Sequence, residues 1–349
     1  EHARFGARVD RVAPAAAGGW TVAWRERGVS NDDVFDAVVV ANGHYEAPYA
    51  PEIPGQAAWL AGGADRAVVH SKAYDEPSPY AGRSVLIVGG RSSGVDLARE
   101  LKDVAAWVYV LEKKAAEPTS HEEQRVTHLP LGASLSEDGR IRVGDEVAPG
   151  PPVDRVILAT GYVYSFPFLD EGAVDMAFVG KRACTPLYLH LQHAARPTLG
   201  FIGIQLAVPC PIPLFEAQAR YLAAAFAAPD AALAPAADRA DWVAERVART
   251  EASGREQDLH YTTSDGSAWA YMRDLVAKAP AAADADAAPS WLDAPTFDHR
   301  LATVESVYRD RAARYPTKPW HDDAYRNVEY AVDWAAGTWT ADDSRCAAV

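Results

Sequence analysis

Cysteine is scarce in this chain, and its scarcity argues against two kinds of site. The 349 residues include three cysteines, Cys184, Cys210 and Cys346, which are widely separated and form no C-x-x-C motif. A disulfide framework or a structural zinc site needs several cysteines, or cysteines and histidines, at short and regular spacing. The neighbouring cysteine pair that disulfide reductases use is missing too. We therefore expect neither a metal site nor thiol redox chemistry.

Long apolar runs and excess positive charge are lacking as well. Apolar residues make up 49% of the chain, yet no apolar run has the length of a membrane-spanning helix. The start of the chain has no basic segment followed by an apolar one, as a secretory signal would have. The net charge of −14 argues against nucleic acid or an anionic membrane as a partner. These features predict a cytoplasmic protein whose partners are small molecules.

The stretch from Ser84 to Glu100 has the pattern of a nucleotide site. Residues 85–88 form a short, β-branched apolar run, which is typical of a strand buried on both faces. Gly89–Gly94 follows at once, and apolar residues then recur at helical spacing. A strand, a glycine turn and a helix start direct free backbone N–H groups and the positive end of the helix dipole to one point, which suits a pyrophosphate. A second strand, at residues 107–111, follows at the distance expected of a βαβ unit and ends in Glu112-Lys113-Lys114.

The glycine pattern is incomplete, which leaves a second interpretation open. Arg91 stands where the full G-x-G-x-x-G fingerprint has its middle glycine. The alternative is a glycine-bearing turn without a ligand, but the strands on both sides favour the nucleotide site. In that site Gly89-Gly90 and Gly94 would allow close approach of the phosphate and tight helix packing. Ser92-Ser93 would donate hydroxyl groups to the phosphate.

Two further strands end in similar glycine motifs. Residues 35–41 have the composition of a buried strand that runs into Asn42-Gly43-His44-Tyr45, and residues 153–159 of another that runs into Thr160-Gly161-Tyr162. A glycine after such a strand lets backbone approach a ligand closely, although a tight turn without a ligand also uses glycine. Two copies of one strand-end motif predict two related nucleotide-binding folds.

The remaining segments predict a β-meander, another strand and several helices. Residues 1–30 alternate as a meander does, and residues 199–204 form a strand with Gly203 near its end. The proline-rich residues 209–213 open a helix. The residues predicted to line its buried face are Phe215, Ala219, Leu222 and Phe226. Further amphipathic helices are predicted at residues 238–252, 267–278 and 294–314.

Several motifs resemble, in the same order, the landmarks of the flavin-containing monooxygenase family. His70-Ser71-Lys72-Ala73-Tyr74 is similar to the H-x-x-x-Y end of the family signature, although His70 by itself is also explained as a structural histidine. The other matching stretches are A-N-G-H-Y at 41–45, the glycine turn, A-T-G-Y at 159–162 with F-P-F-L at 166–169, F-I-G at 201–203 and P-L-F-E-A-Q at 213–218. The resemblance extends over roughly residues 1–330 and is greatest for the plant and fungal branch, whose members oxidise soft nucleophiles.

The chain departs from the family pattern in two ways. Ala64 and Arg66 stand where the signature has Phe and Gly. The family's first G-x-G-x-x-G, which holds the FAD pyrophosphate, has no counterpart, and the chain begins with Glu1 rather than Met. From typical domain sizes, roughly the first hundred residues of the domain are expected to be missing, so the sequence is interpreted as a fragment or a trimmed gene model.

The resemblance implies two cofactors, FAD and NADPH. NADPH on the glycine turn would deliver hydride to the flavin, and O2 would then add to the reduced flavin as a C4a-hydroperoxide. A small-molecule soft nucleophile, through sulfur or nitrogen, would take the distal oxygen. Because the flavin carries this chemistry, no catalytic side chain is assigned.

The cofactors imply roles for particular residues. Lys113, or Lys114 beside it, would hold the 2′-phosphate of NADPH, with Arg91 as a second cation, whereas Glu112 would favour the ribose diol of NADH. NADPH is preferred, and NADH stays open. The helix starting near Pro213 would face the pyrimidine edge of the flavin, where its dipole stabilises the reduced anion. The predicted cofactor-binding residues are Asn42, Gly43, Gly89, Gly90, Arg91, Ser92, Ser93, Gly94, Lys113, Thr160, Gly161, Gly203 and Gln218.

The predicted fold class is α/β, with two dinucleotide-binding Rossmann-like domains and C-terminal helices. The FAD domain is incomplete at its N-terminus and the NADPH domain is inserted into it. The expected divisions are 1–77 for the remainder of the FAD-binding domain, 78–166 for the NADPH-binding domain, and 167–349 for the return to the FAD-binding domain and the C-terminal helical region. A homodimer is left open, and Gln218 is also explained as an ordinary surface glutamine.

Two other functions are left open. One is binding of NADP without catalysis, by a chain that cannot hold FAD. The other is a flavin disulfide reductase or dehydrogenase of similar architecture, which the missing cysteine pair disfavours.

Overall fold

A computed structural model describes the chain at residues 3–170, 172–180, 182–206, 208–255, 259–260, 267–279, 294–315 and 326–344. The chain divides into two compact units. The first unit comprises residues 1–47, 163–310 and 330–340, and the second comprises residues 48–162, 311–329 and 341–349. Glu1 and Cys346 lie outside the described residues.

A six-stranded sheet forms the centre of the second unit. Its strands, in spatial order, are β6 (Ala67–His70), β14 (Arg155–Leu158), β7 (Ser84–Val88), β8 (Trp107–Glu112), β10 (Val126–Pro130) and β9 (Thr119–His121). All of them run parallel except β9, which pairs antiparallel with β10. Ile87 pairs with Ile157 on one side and Val110 on the other, and all three side chains are buried. The buried parallel strand predicted at residues 85–88 is confirmed.

Helix α2 (Ser92–Leu101) connects β7 to β8 and covers one face of this sheet. Its side chains Leu97 and Leu101 are buried in one cluster with Val85, Ile87 and Val110. Full burial of one such side chain contributes about 1.5–3 kcal/mol, so this contact fixes the helix against the strands. The βαβ unit predicted from the sequence is confirmed.

The opposite face of the sheet is covered by a short helix, α1 (Gln56–Ala61), and a small antiparallel meander. Trp59, on α1, is fully buried with Leu86 and Tyr109 of the sheet, and its ring N–H donates to Val153 O at 3.0 Å. The strands of the meander are β11 (Ser134–Leu135), β12 (Ile141–Val143) and β13 (Glu146–Val147).

The first unit begins with a three-stranded antiparallel meander, β1 (Ala7–Pro14), β2 (Trp20–Glu26) and β3 (Val29–Phe35). The prediction of a meander near residues 1–30 is confirmed. The prediction of one strand over residues 35–41 is wrong, because Phe35 ends β3 opposite Trp20 and a bend at Asp36 precedes the next strand. That next strand, β4 (Val38–Val40), belongs to another sheet.

A four-stranded sheet joins β4 to the middle of the chain. Its strands, in order, are β18 (Leu187–Tyr188), β19 (Gln192–His193), β20 (Leu199–Phe201) and β4. β20 and β4 run parallel, with Phe201 opposite Val40, so both strands end at the same edge. The other short strands are β5 (Ala47–Pro48), β15 (Tyr162–Val163), β16 (Ala177–Val179), β17 (Ala183–Thr185), β21 (Glu329–Asp333) and β22 (Thr338–Asp342).

The helices of the second half lie close to where the sequence predicts them. They are α3 (Pro211–Ala227), α4 (Pro229–Ala232), α5 (Ala236–Ser253), α6 (Ser267–Lys278) and α7 (Ala294–Arg314). Leu214 and Leu222 of α3 share a buried cluster with Met272 and Leu275 of α6 and Leu301 of α7. Among the described residues, none of the helices has the length and apolar character needed to cross a membrane.

The buried face of α3 differs from the predicted one. Phe215 is 39% exposed and Ala219 is exposed, so the prediction is wrong for these two residues. The face that packs against α6 starts one residue earlier, at Leu214, and repeats at helical spacing. Its buried residues are Leu214, Ala217, Gln218, Tyr221, Leu222 and Ala225. Because α3 is rich in alanine, its composition does not single out one stripe.

Candidate functional site

The glycine turn between β7 and α2 is shaped by close backbone contacts. Gly89 has a φ of +113°, a conformation that favours glycine, and its N–H donates to Leu111 O at 2.8 Å. A Cβ atom at Gly89 would press on the carbonyl oxygen of Ala159, and one at Gly94 would overlap the carbonyl oxygen of Gly89. Glycine at both positions therefore lets α2 start this close to the ends of β7 and β14.

The start of α2 presents backbone N–H groups that the helix itself leaves unpaired. The first intrahelical hydrogen bond runs from Val95 N–H to Arg91 O at 2.9 Å. The N–H groups of Ser92, Ser93 and Gly94 consequently have no partner within the helix. These donors and the positive end of the helix dipole make the turn suitable for an anion. The assignment of this anion to NADPH stays a prediction.

Arg91 explains why the missing middle glycine is tolerated. Its φ of −94° and ψ of −165° are extended backbone that any L residue adopts. Its side chain makes no capping hydrogen bond and is exposed next to the helix start. The guanidinium is exposed beside the helix start, and its contact with a phosphate stays a prediction.

Two charged residues at the end of β8 have opposite consequences for a nucleotide. Lys113 is exposed, as a cation for a 2′-phosphate should be. Glu112 is half-buried, and a Cβ atom at Gly90 would lie 2.6 Å from Glu112 Cβ and would touch the carboxylate. Glu112 Oε1 accepts a hydrogen bond from His128 Nδ1 at 2.7 Å. The carboxylate that would favour NADH is therefore already engaged by a side chain on β10.

The turn after β14 is anchored by residues of the same unit. The hydroxyl group of Thr160 donates to Tyr49 O, and Tyr49 N–H donates to Gly161 O at 2.9 Å. Gly161 O also accepts a hydrogen bond from His70 Nε2 at 2.9 Å. Thr160 and Gly161 thus hold their turn beside Gly89, and their contact with a cofactor stays a prediction.

His70, from the predicted signature, uses both ring nitrogens. Nε2 donates to Gly161 O, and Nδ1 accepts a hydrogen bond from Lys72 N–H at 3.1 Å. This network assigns the ring proton to Nε2. Burial lowers the pKa of His70, which favours the neutral ring. His70 is a structural histidine, which is one of the two interpretations that the sequence leaves open.

In the first unit, the turn after β4 is tied to the turn after β20. Gly43 has a φ of +71° with open space around it, and Asn42 is exposed. His44 Nδ1 donates to Gly203 O at 2.7 Å. Burial lowers the pKa of His44, and its hydrogen bond to Gly203 acts in the opposite direction. His44 Nε2 is buried and has no hydrogen-bond partner among the described residues, so a polar group of a ligand would complete this site.

Gln218 is buried in a polar network under Gly203, so its interpretation as a surface glutamine is wrong. Gly203 has a φ of +80°, and its N–H donates to Gln218 Oε1 at 3.0 Å. Gln218 Nε2 donates to Gln205 Oε1 at 2.8 Å, and Gln205 Nε2 donates to the hydroxyl oxygen of Tyr271 at 3.1 Å. Tyr271 in turn donates to Leu189 O at 2.6 Å. Gln218 therefore positions the Gly203 turn from beneath.

The start of α3 differs from the start of α2 in its donors. Pro211 and Pro213 occupy the first turn and have no N–H group, so Ile212 contributes the N–H group of that turn. The positive end of the dipole remains, but the cluster of donors that suits a phosphate does not. This helix start is better matched to a partial negative charge, such as a carbonyl oxygen.

A sequence model described as FMO-like, flavin-binding monooxygenase-like, matches residues 7–117 and 137–283. The matched ranges include the glycine turn and the segments around Gly43 and Gly203, and they cover more than half of the chain. The chain belongs to this family. The resemblance inferred from the motifs is confirmed. FAD and NADPH, the predicted cofactors, agree with membership of this family.

Curated relatives from Arabidopsis thaliana match part of their own length. Flavin-containing monooxygenase FMO GS-OX3 is 32% identical over 229 residues, which are 64% of this chain and 48% of that protein. Flavin-containing monooxygenase FMO GS-OX-like 4 is 35% identical over 237 residues, 64% of this chain and 49% of that protein. The chain thus spans about half the length of the curated relatives it matches.

Solved structures support the predicted fold class. The structure of S-allyl-L-cysteine S-oxygenase from Allium sativum matches with a TM-score of 0.71 and 26% identity, covering 91% of this chain and 67% of that one. Tmm from Pelagibacter sp. strain HTCC7211 matches with a TM-score of 0.65 at 16% identity, covering 95% and 68%, which shows the fold alone. With the parallel sheet, these likenesses establish an α/β fold of the Rossmann-like, flavin monooxygenase type.

Sequence reasoning missed His128 as a residue of the site, whereas it named Gln218 but left its burial open. His128 gave no signal, because its partner Glu112 is 16 residues away and on another strand. Gln218, by contrast, lies four residues after Leu214 on the buried stripe, so helical spacing counted from Leu214 would have placed it inside. Among the described residues, His, Cys, Asp and Glu form no group that could hold a metal ion.

Proposed function

We propose that the complete protein is a monooxygenase that uses FAD, NADPH and O2 to transfer one oxygen atom to a soft nucleophile. The observation that carries the proposal is the strand, glycine turn and helix start of residues 84–101, with Lys113 exposed at the end of the next strand. Because the chain belongs to the flavin-binding monooxygenase-like family, we infer that this turn binds the reductant, NADPH.

The glycine turn supports the seating of NADPH. The pyrophosphate would accept hydrogen bonds from the N–H groups of Ser92, Ser93 and Gly94, and the two serine hydroxyls are further donors. Lys113 would pair with the 2′-phosphate as a point charge, and Arg91 adds a second cation near the helix start. The buried sheet holds these groups in place before the nucleotide arrives, which lowers the entropic cost of binding.

The residues around Gly203 fit the pyrimidine edge of a flavin, which carries one N–H group between two carbonyl oxygens. His44 donates through Nδ1, so its buried Nε2 is an acceptor that suits the flavin N–H. Ile212 N–H, at the positive end of α3, suits a flavin carbonyl oxygen. Gly203 N–H is held by Gln218, so Gln218 acts by fixing the turn. When bound, FAD supplies the oxygen-activating chemistry, and these residues orient it.

Sulfur is the first substrate atom to test. One solved structure to which the chain is similar is described as an S-allyl-L-cysteine S-oxygenase, and nitrogen nucleophiles are the other soft class. The full-length protein with FAD, NADPH and O2 would be incubated with thioethers and tertiary amines. NADPH oxidation that depends on the substrate, with one 18O atom from 18O2 in the product, is the expected result. Hydrogen peroxide release without an oxygenated product would reject monooxygenation, and NADPH binding without any flavin binding would favour the non-catalytic alternative.

Replacing Lys113 with alanine is expected to lower the affinity for NADPH at least about tenfold and to change the affinity for NADH little. Only NADPH carries the 2′-phosphate, and hydrogen bonds to charged groups are worth about 1.5–3 kcal/mol. Isothermal titration with each nucleotide measures both effects. Lys102→Ala is the matched control, since Lys102 carries the same charge at the far end of α2. Equal losses for the two nucleotides would remove Lys113 from this role, and a selective loss in Lys114→Ala alone would transfer the role to Lys114.

A further inference from the structure

Glu112 and His128 form a side-chain pair at the end of two neighbouring parallel strands. β8 and β10 run in register, with Glu112 opposite Pro130 and Val110 opposite His128. The hydrogen bond from His128 Nδ1 to Glu112 Oε1 is 2.7 Å long, and both side chains are less than a fifth exposed. Because a carboxylate only accepts hydrogen bonds, the ring proton is placed on Nδ1.

The second oxygen of this carboxylate is also confined. Glu112 Oε2 is the atom that a Cβ at Gly90 would touch first, so the carboxylate folds back over the glycine turn. One oxygen is thus hydrogen-bonded to His128 and the other packs against Gly90. A glutamate in this conformation does not extend from the strand end, as it would need to do to accept both hydroxyl groups of a ribose.

The conformation of Glu112 matters for nucleotide selectivity, because Glu112 and Lys113 favour different nucleotides. A free carboxylate at the end of the second strand of a dinucleotide-binding fold accepts hydrogen bonds from the ribose diol and repels a 2′-phosphate. Lys113, the next residue, attracts the 2′-phosphate. The residue that restrains Glu112 therefore influences whether the site prefers a 2′-phosphate, through Lys113, or an unmodified ribose, through Glu112.

We propose that His128 is a residue that determines the preference for NADPH over NADH. By holding the Glu112 carboxylate against Gly90, His128 keeps this charge away from the ribose, so that Lys113 can bind the 2′-phosphate. This proposal rests on the proposed function, namely on the nucleotide site at the glycine turn. His128 touches neither the nucleotide nor Lys113 in this scheme; it acts through Glu112. Its loss releases the carboxylate toward the ribose.

The test measures the affinities of the full-length protein for adenosine 2′,5′-bisphosphate and for 5′-AMP, two fragments that differ in the 2′-phosphate. The preference is the ratio of the affinity for the bisphosphate to the affinity for 5′-AMP. His128→Leu removes the donor and keeps bulk, and it is expected to lower this ratio about tenfold, because the bisphosphate binds more weakly and 5′-AMP binds more tightly. His128→Asn keeps a donor near the position of Nδ1 and should restore the preference. His128→Ala serves as a second variant if the leucine does not fold.

A double-mutant cycle separates positioning from a general structural effect. In a Glu112→Gln background, where no charge can be released, His128→Leu should leave the preference unchanged. The proposal is overturned if His128→Leu keeps the parental preference, or if it weakens both fragments equally. It is also overturned if its effect persists in the Glu112→Gln background. If the unaltered protein binds neither fragment, the nucleotide site itself is rejected, which is a different outcome from the failure of the selectivity proposal.

Discussion

Replacing Gly94 with alanine is expected to destabilise the second unit by about 3 kcal/mol and to abolish binding of adenosine 2′,5′-bisphosphate. The added Cβ would overlap the carbonyl oxygen of Gly89 and would lie 3.6 Å from Ala159 Cβ. The atom in the way belongs to backbone and not to a flexible side chain, so α2 must move away from β7. Such a shift displaces the N–H groups that form the anion site.

Two opposing effects decide whether Gly94→Ala raises or lowers the stability of the second unit. Alanine is favoured over glycine inside a helix by about 1 kcal/mol, and Gly94 lies within α2. The backbone at Gly89 cannot move aside at low energy cost, because β7 and β14 are buried in the middle of the sheet and the Gly89 N–H is hydrogen-bonded to Leu111 O. The steric cost therefore exceeds the gain in helix propensity.

Urea unfolding and isothermal titration measure the two effects of Gly94→Ala. Gly172→Ala is a suitable control, because Asp170 Oδ1, at 3.6 Å, is the one atom of the described residues that a Cβ there would meet, and Gly172 is exposed. The control should match the parent protein within about 0.5 kcal/mol. A Gly94→Ala protein with parental stability and nucleotide affinity would show that α2 can start farther from β7 without loss.

The parts of the fold that the sequence predicts well are those set by local patterns. The run at 85–88, the glycine turn and the stripe of Leu97 and Leu101 lie within about twenty residues, and the structure places β7 at Ser84–Val88 and α2 at Ser92–Leu101. A short, β-branched apolar run predicts a buried parallel strand, and the glycine spacing restricts the conformation of the turn after it. These constraints operate before any tertiary partner is known.

The parts that the sequence does not reveal depend on partners far along the chain. The apolar neighbours of Phe35 predict that it belongs to the next strand, yet it pairs with Trp20 across the meander. Helical spacing counted from Leu214 places Gln218 on the buried stripe, but its partner, the Gly203 N–H, lies 15 residues away in the turn after β20 and is not revealed by that spacing. An unpaired buried N–H costs about 1–3 kcal/mol, so a polar residue on an apolar stripe can be the stabilising choice.

Acidification from pH 7 to pH 5 is expected to lower the free energy of unfolding of the first unit by about 2 kcal/mol through His260 alone. His260 is buried, its Nε2 lies 2.9 Å from Cys184 O, and its Nδ1 lies 3.2 Å from His190 Nδ1. Burial lowers the pKa of His260 to about 3, although its backbone hydrogen bond at Cys184 acts in the opposite direction. Burial and the neighbouring His260 lower the pKa of His190 as well.

The direction of this effect depends on where the proton binds. In the unfolded chain the pKa of His260 is about 6.5, so between about pH 6.5 and 3 the unfolded state takes up a proton that the folded state refuses. The stability that a neutral His260 gives is complete above pH 6.5 and is lost progressively below it. Asp10 and Asp170 have lowered pKa values in the folded state, so their contributions fall away in more acidic solution. Burial raises the pKa of Glu216, which acts in the opposite direction to His260 on acidification.

Urea unfolding at several pH values between 5 and 7.5 measures this slope, and His260→Gln tests its assignment. The variant is expected to be less stable at pH 7.5, because it disrupts the contacts with Cys184 and His190, but to lose less stability on acidification. His121→Gln, which replaces an exposed histidine, should keep the parental slope. If His260→Gln keeps that slope too, the acid sensitivity resides in the other buried histidines, with His190 and His44 as the next to replace, because burial lowers the pKa of each.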